Sequence, residues 1–204
     1  LHALMRDLTA GGARVALSAN VAAAKLRSVR PSTPTGKARK AIAWDLVRDI
    51  RALDRQLAAI ADQMTVALDD YETSLLEVDG VGPVLATRLL GRTGRPSRFR
   101  SADAFASYTG SAPIEASSGE RVVHRLSRSG DRQLNSALHL VAVTQVRMRN
   151  SAGRAYFDRK IAEGKTRNEA MRCLKRKLAG HIWRRMLADE RTRLNRHDPV
   201  TIAA

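Results

Sequence analysis

Leu46, Ile50, Leu53, Leu57, Ile60, Met64 and Ala67 recur in alternating steps of four and three. That spacing lines them up on one stripe of an α-helix and would scatter them over both faces of a strand. The stripe holds for about three heptads, so the stretch is expected to form one long helix with an apolar seam. Asp45, Arg48, Asp49, Arg51, Asp54 and Arg55 fall off the seam and keep the other faces in water. A seam of this length serves equally for packing on its own domain or for pairing with a second copy as a coiled coil. The expectation carried forward is a homo-oligomer assembled through residues 43–68.

The flanking segments also read as helical. Residues 1–30 are rich in Ala, Leu and Arg, and RPSTPTGKARK from Arg30 onward reads as a linker. After Leu75-Leu76-Glu77-Val78-Asp79, Gly80-Val81-Gly82-Pro83 makes a tight turn before the apolar-periodic Val84, Leu85, Leu89 and Leu90. Glycines admit backbone conformations closed to other residues, and Pro83 suits the first turn of a helix, where its missing N–H has no partner. This is the pattern of a helix-hairpin-helix, whose free amides at Gly80 and Gly82 can hold a phosphate. A plain helical corner is the competing reading.

Ser101 is placed as an N-cap, and Gly130 with Asp131 introduces a helix carrying Leu134, Leu138, Val141 and Ala142 on one face. Thr166-Arg167-Asn168-Glu169 supplies a capping box for the last long helix. Along that helix Met171, Leu174, Leu178 and Ile182 face inward, with Arg172, Lys175, Arg176, Arg184 and Arg185 on other faces. Val122 and Val123 suggest one short extended piece, and no sheet is expected. The fold class is mainly α: a long coiled-coil-type helix followed by a compact helical domain containing a helix-hairpin-helix. The expected divisions are a remnant or linker arm over 1–36, the heptad helix over 37–77, a serine-bearing domain over 78–190 and a flexible tail over 191–204.

Charge narrows the function classes. Thirty-six Lys and Arg against twenty Asp and Glu leave a net +16 over 204 residues, which favours a polyanionic partner through counterion release. Nothing approaches the roughly 20 consecutive apolar residues that span a bilayer, so no membrane partner is expected. Cys173 is the only cysteine, which excludes an internal disulfide and a cysteine-rich zinc site and suits a cytoplasmic, nucleoid-associated placement. The histidines His2, His124, His139, His181 and His197 lack metal-ligand spacing, so no metal ligand is assigned.

Tyr108 to Leu134 reads YTGSAPIEASSGERVVHRLSRSGDRQL. Adjacent hydroxyls at Ser117 and Ser118 precede Gly119, and Arg121, His124, Arg125, Arg128 and Arg132 follow. A serine hydroxyl attacks phosphorus only with help from a base, a metal or a charged surround, and cations must stabilise the charge that develops. The arginines supply cations. Glu115 and Glu120 are the nearest acids, and neither stands out as a general base. From these residues alone a phosphate-binding loop ranks above a catalytic one.

The ordered series LEVDGVGPVLATRLL, RFRSADAFASYTGSAPIEASSGE, RLSRSGDRQLNSALH and GRAYFDRKIAEGKTRNEAMRCLKRKL closely resembles the carboxy-terminal transposase domain of the insertion sequence 110 family, the bridge-RNA-guided serine recombinases. The resemblance covers roughly Glu72 to Leu187, with the heptad helix in the family's coiled-coil place. It implies DNA as substrate, a structured guide RNA as partner, and Ser118 as the nucleophile that joins covalently to a DNA phosphate. It also implies a RuvC-like domain with acidic metal ligands. Residues 1–30 offer only Asp7 toward such a set, so this chain is expected to bind no cofactor itself, and Mg2+ is expected only with that missing domain. The alternatives are a noncatalytic DNA- and RNA-binding dimerisation module and a structural helical protein whose arginines serve solubility.

Overall fold

The computed structural model describes residues 1–9, 17–115, 124–126 and 129–197. The chain packs as two units, Leu1–Gln63 and Met64–Ala204.

In the first unit, α1 (His2–Leu8) and α2 (Ala19–Ser28) pack with the opening turns of α3 (Pro34–Asp70). Ser18 caps α2 by accepting the Val21 N–H. Met5, Ala22, Ala23, Leu26, Ala43 and Val47 form a small buried cluster, with Ile50 packed partly against it. The alanines let the helices approach closely. As the heptad stripe predicts, α3 is one long helix. Its inward residues here are Ala43 and Val47, while Leu53, Leu57 and Ile60 are exposed at 56%, 65% and 46%.

The second unit takes in the last turns of α3, a 3₁₀ turn over Ser74–Glu77, α4 (Pro83–Thr93), a 3₁₀ turn over Pro96–Arg98 and α5 (Ala102–Tyr108). After these come α6 (Arg132–Arg147), α7 (Ala152–Ala162) and α8 (Arg167–His197). Ser101 caps α5 by accepting the Ala104 N–H. The capping box at α8 closes reciprocally: the Thr166 N–H donates to the Glu169 carboxylate at 2.9 Å, and the Glu169 N–H donates to the Thr166 hydroxyl oxygen at 3.4 Å. On α6, Leu134, Ala137, Leu138, Val141, Ala142 and Gln145 are buried at helical spacing. They meet Leu174, Leu178 and Ile182 of α8 and Phe105 of α5 in one core. Each large apolar side chain fully removed from water stabilises by roughly 1.5–3 kcal/mol.

The spine of this unit is α8. Its Asp189 accepts the Ser74 N–H at 2.9 Å, Glu190 accepts the Ser97 N–H at 3.0 Å, and Trp183 Nε1 donates to the Pro96 carbonyl at 3.0 Å. One helix thus holds both 3₁₀ turns.

Several details depart from the sequence-based expectation. The element ahead of the Gly80–Gly82 turn is a single 3₁₀ turn. Helix α6, whose sequence pattern runs to about Asn150–Gly153, stops at Arg147, where Ser151 donates to the Gln145 carbonyl at 2.6 Å and caps α7 by accepting the Arg154 N–H. The final helix continues to His197, where Arg193 lies 3.9 Å above the Tyr71 ring and Arg196 pairs with Glu72. A two-stranded antiparallel hairpin joins β1 (Pro113–Glu115) to β2 (His124–Leu126), in the register Pro113 to Leu126, Ile114 to Arg125 and Glu115 to His124. Lys175, assigned to an outer face, is buried.

Candidate nucleic-acid interface

The segment that carries Ser118 leaves the helical body after α5 and returns at α6. Its two ends touch. Gly110 and Gly130 have φ of +65° and +114°, a region that favours glycine. A Cβ on Gly130 would lie 2.7 Å from the Gly110 nitrogen and 2.9 Å from the Tyr108 carbonyl oxygen, and one on Gly110 would lie 2.9 Å from the Ser129 carbonyl oxygen. The Asp131 N–H bridges the ends by donating to the Tyr108 carbonyl at 2.8 Å.

Two side-chain systems reinforce this stem. Asn135 Nδ2 donates to the Thr109 and Gly110 carbonyls, each at 2.9 Å, and Asn135 Oδ1 accepts from Lys175 Nζ at 2.6 Å. Burial pulls the Lys175 ammonium below its ordinary pKa. On the other side, Asp131 accepts the Gln133 and Leu134 N–H groups at 2.9 Å and the Arg92 guanidinium at 2.9 and 2.5 Å. Burial works against the Asp131 carboxylate, but the Leu134 N–H, Arg92 and the Gln133 N–H outweigh it, so its pKa is lowered.

A depressed folded-state pKa means that Asp131 stabilises above the unfolded carboxylate pKa of about 3.9, and that this stabilisation is lost as pH falls through the lower folded value. Asp131→Asn keeps a capping oxygen and removes the charge that pairs with Arg92, so it is expected to lower stability at neutral pH by about 0.5–1 kcal/mol, the scale of a partly exposed ion pair. Denaturant titrations of both proteins should converge in acid. A gap that persists undiminished at pH values well below 3.9 would contradict the role of the charge.

The residues singled out in the sequence are placed as follows. Ser117, Ser118, Gly119, Arg121 and Arg128 lie outside the described residues, as does Glu120. His124 and Arg125 are in β2. Arg132 is the exposed first residue of α6, where a cation opposes the helix dipole. That position gives it no role in stabilising the helix.

The two turn glycines separate in role. Gly80 has φ +79°, and a Cβ there would meet Thr144 at 3.1 Å and the Val141 carbonyl at 3.3 Å. Gln145 Nε2 bolts the same turn to α6 by donating to the Asp79 carbonyl at 2.7 Å. Gly80 is thus required by packing. Gly82 caps α4 with no side-chain cap, Pro83 follows it, and no atom lies within 4 Å of where its Cβ would be. Gly82, at the start of α4, lines a cleft of about 380 Å³ together with Leu76 to Val81, and helix starts are where anions are commonly held.

Asn135 and Lys175 were not singled out from the sequence as site residues. Lys175 sits four residues after Met171 and three before Leu178, on the stripe that faces inward, and that spacing is the signal that could have found it. Among the described residues, no group of three or more His, Cys, Asp or Glu converges as metal ligands. No described helix is long and apolar enough to cross a membrane.

Comparison with known proteins fits this arrangement. Residues 72–158, which include Gly110, Gly130, Asp131 and Asn135 of the stem, match the Transposase IS116/IS110/IS902 family. The chain is similar to the insertion element IS900 uncharacterized 42 kDa protein of Mycobacterium paratuberculosis, at 30% identity over 192 residues, covering 86% of this chain and 48% of that protein. It is 34% identical over 129 residues to the insertion element IS110 uncharacterized 43.6 kDa protein of Streptomyces coelicolor, covering 62% and 32%. A pilin gene-inverting protein of Moraxella bovis is 33% identical over 132 residues, covering 63% and 40%. The chain spans about half the length, or less, of these curated relatives.

The family match and these relatives set the class as transposase-related proteins. Within that class, the chain belongs to the IS116/IS110/IS902 family of transposases.

Proposed function

We propose that this chain carries the serine-bearing half of a DNA-strand-exchange active site, with Ser118 as the nucleophile. The observation that carries this reading is the stem. Gly110 against Gly130, the Asn135–Lys175 link and the Arg92–Asp131 pair anchor both ends of the segment that bears Ser118, as a nucleophile that must meet a phosphate within a fraction of an ångström requires. In the reaction, the Ser118 Oγ–phosphorus bond forms as a sugar oxygen–phosphorus bond breaks. The serine proton passes to solvent and the leaving sugar oxygen takes one up. Arg121, Arg125, Arg128 and Arg132 bind the phosphate and offset its developing charge. Ser117, Gly119 and His124 contact the DNA in this reading, and the helix start at Gly82 holds a flanking phosphate as a helix-hairpin-helix does. Mg2+ would come with an acidic RuvC-like domain, and a structured guide RNA would select the DNA site. A cytoplasmic, nucleoid-associated placement goes with this reading.

The test is to supply an acidic RuvC-like domain in trans with DNA and look for a covalent protein–DNA adduct that Ser118→Ala removes. A noncatalytic DNA- and RNA-binding module is the second reading, favoured by the open Gly82 helix start. It predicts salt-sensitive binding and no adduct with either protein.

Assembly rests on the seam of α3. Leu53, Leu57 and Ile60 are each about half exposed or more, which suits pairing with a second copy through residues 43–68. Leu53→Lys combined with Leu57→Lys is expected to shift sedimentation from dimer to monomer with helicity retained. Identical sedimentation of variant and wild type would overturn this assignment.

A further inference from the structure

The geometry points to a second nucleic-acid site in this chain: a cleft between the Val78–Asp79 turn, α7 and α8 that takes one unpaired nucleotide of a strand, its base over an apolar floor and its phosphates on Arg159, Lys177 and Arg184. The inference rests on nucleic acid being the partner, and it concerns a cleft built entirely from described residues.

The cleft measures about 480 Å³, within the roughly 300–1,000 Å³ of small-ligand sites. Leu174 and Leu178, both buried, and Ala155 supply apolar lining. Tyr156 supplies an aromatic edge around which cations gather: Lys177 Nζ lies 4.6 Å, Arg159 Cζ 5.0 Å and Lys160 Nζ 5.5 Å from its ring centroid. Three cations around one ring repel each other, and Glu163 is the carboxylate that answers Lys160, at 2.6 Å, and Arg159, at 3.9 Å. Among the described residues, neither Lys177 nor Arg184 has an ion-pair partner.

The lining holds four cations, Arg159, Lys177, Arg184 and Arg185, against two carboxylates, Glu77 and Asp79. Glu77 is taken up by Arg185, which leaves the excess charge on the α7 and α8 side. Partial burial, then Arg185 and Arg184, hold His181 at the same mouth below its ordinary pKa. A phosphate there would relieve that crowding. Asp79 is exposed at the rim and can accept from a base amino group, a pairing that carboxylates make with exocyclic amines. An apolar floor beside an aromatic, rimmed by cations, is the arrangement that binds single strands: bases stack on the flat surface while the backbone follows the charge. A regular duplex keeps its bases stacked inside and cannot use the floor.

The experiment compares the wild-type chain with Lys177→Glu/Arg184→Glu, both exposed positions. Fluorescence anisotropy at low salt would follow a short labelled DNA strand, the same RNA strand and a blunt DNA duplex. The expected result is an about tenfold or greater loss of affinity for single strand, DNA or RNA, with less than about threefold change for duplex. Which single strand responds identifies the source of the nucleotide. Wild-type chain photocrosslinked to a halogenated single strand should give its adduct at Tyr156, a readout that does not depend on the variant folding. Equal losses on all three probes, or crosslinks that map away from Tyr156, overturn the inference and leave the Ser118 reading intact. Failure of the wild-type chain to bind any of the three probes overturns the nucleic-acid reading as well.

Discussion

Ser118→Ala is expected to lower covalent adduct formation by on the order of 10³-fold or more, the scale on which removing a nucleophile acts, while Ser117→Ala leaves an adduct that is readily detected. The argument is chemical. A phosphodiester is a poor electrophile in water, and cations around it lower the barrier only if an oxygen is held in line for attack. Arginines without the hydroxyl can bind the phosphate and cannot form the ester. DNA binding should therefore survive Ser118→Ala with unchanged salt dependence, because the term that sets the salt slope is the number of cations on phosphate, which the substitution leaves alone. Comparing adduct yield with binding separates the nucleophile from the loop that carries it. A variant that loses both has lost the loop, and a variant that loses neither shows that Ser118 is not the attacking group.

Gly130→Ala is expected to cost the second unit roughly 3–5 kcal/mol, at the upper end of single substitutions. Two penalties act together. At φ +114° an L side chain is strained, by about 1–3 kcal/mol. The new methyl would also sit 2.7 Å from the Gly110 nitrogen and 2.9 Å from the Tyr108 carbonyl oxygen, and these are backbone atoms that cannot rotate away. Relief requires the stem to open, which breaks the Asp131–Tyr108 bridge. Gly94→Ala is the control. Its φ is +63°, yet nothing lies within 4 Å of the added methyl, so it carries the strain alone. Chemical denaturation of the two variants should differ by about 2 kcal/mol or more, and Gly130→Ala should expose the stem to proteolysis. Equal stabilities would show that the close approach of the two ends contributes nothing.

Local signals were legible in the sequence and relational ones were not. The heptad stripe, the Ser101 cap, Asp131 at the head of α6 and the Thr166–Glu169 box each depend on residues within a turn or two of one another, and the structure realises each of them. Lys175 shows the limit. Its spacing places it on the inward stripe and its charge argues for an outer face. The Asn135 amide, forty residues earlier in the chain, makes burial tolerable by accepting from it, and no local pattern announces such a partner.

The same holds for Gly80 and Gly82, which look interchangeable in the turn motif. Only the approach of Thr144 and Gln145 from α6 makes Gly80 a packing residue and leaves Gly82 open. The β1–β2 hairpin is three residues a side, too short for alternation to register. The seam of α3 was legible as a stripe, but which of its positions are buried is seen only in the structure: Ala43 and Val47 on the same helix serve the first unit's own core, and Leu53, Leu57 and Ile60 are exposed. At the site itself, residue types gave the cations and the hydroxyl. The stem that joins the two ends of their segment is built by Gly110, Gly130, Asn135 and Lys175, three of which carry no reactive group.

The most direct measurement is to trap the adduct with DNA, digest the nucleic acid to a residual nucleotide and locate that nucleotide on the protein by peptide mass spectrometry. The predicted result is a single phosphodiester on Ser118 in the peptide that spans Ile114 to Arg121. A nucleotide on Ser117, on Tyr108 or on any other side chain, or a wild-type chain that is supplied with the acidic domain, binds DNA and never forms the bond, would contradict the account.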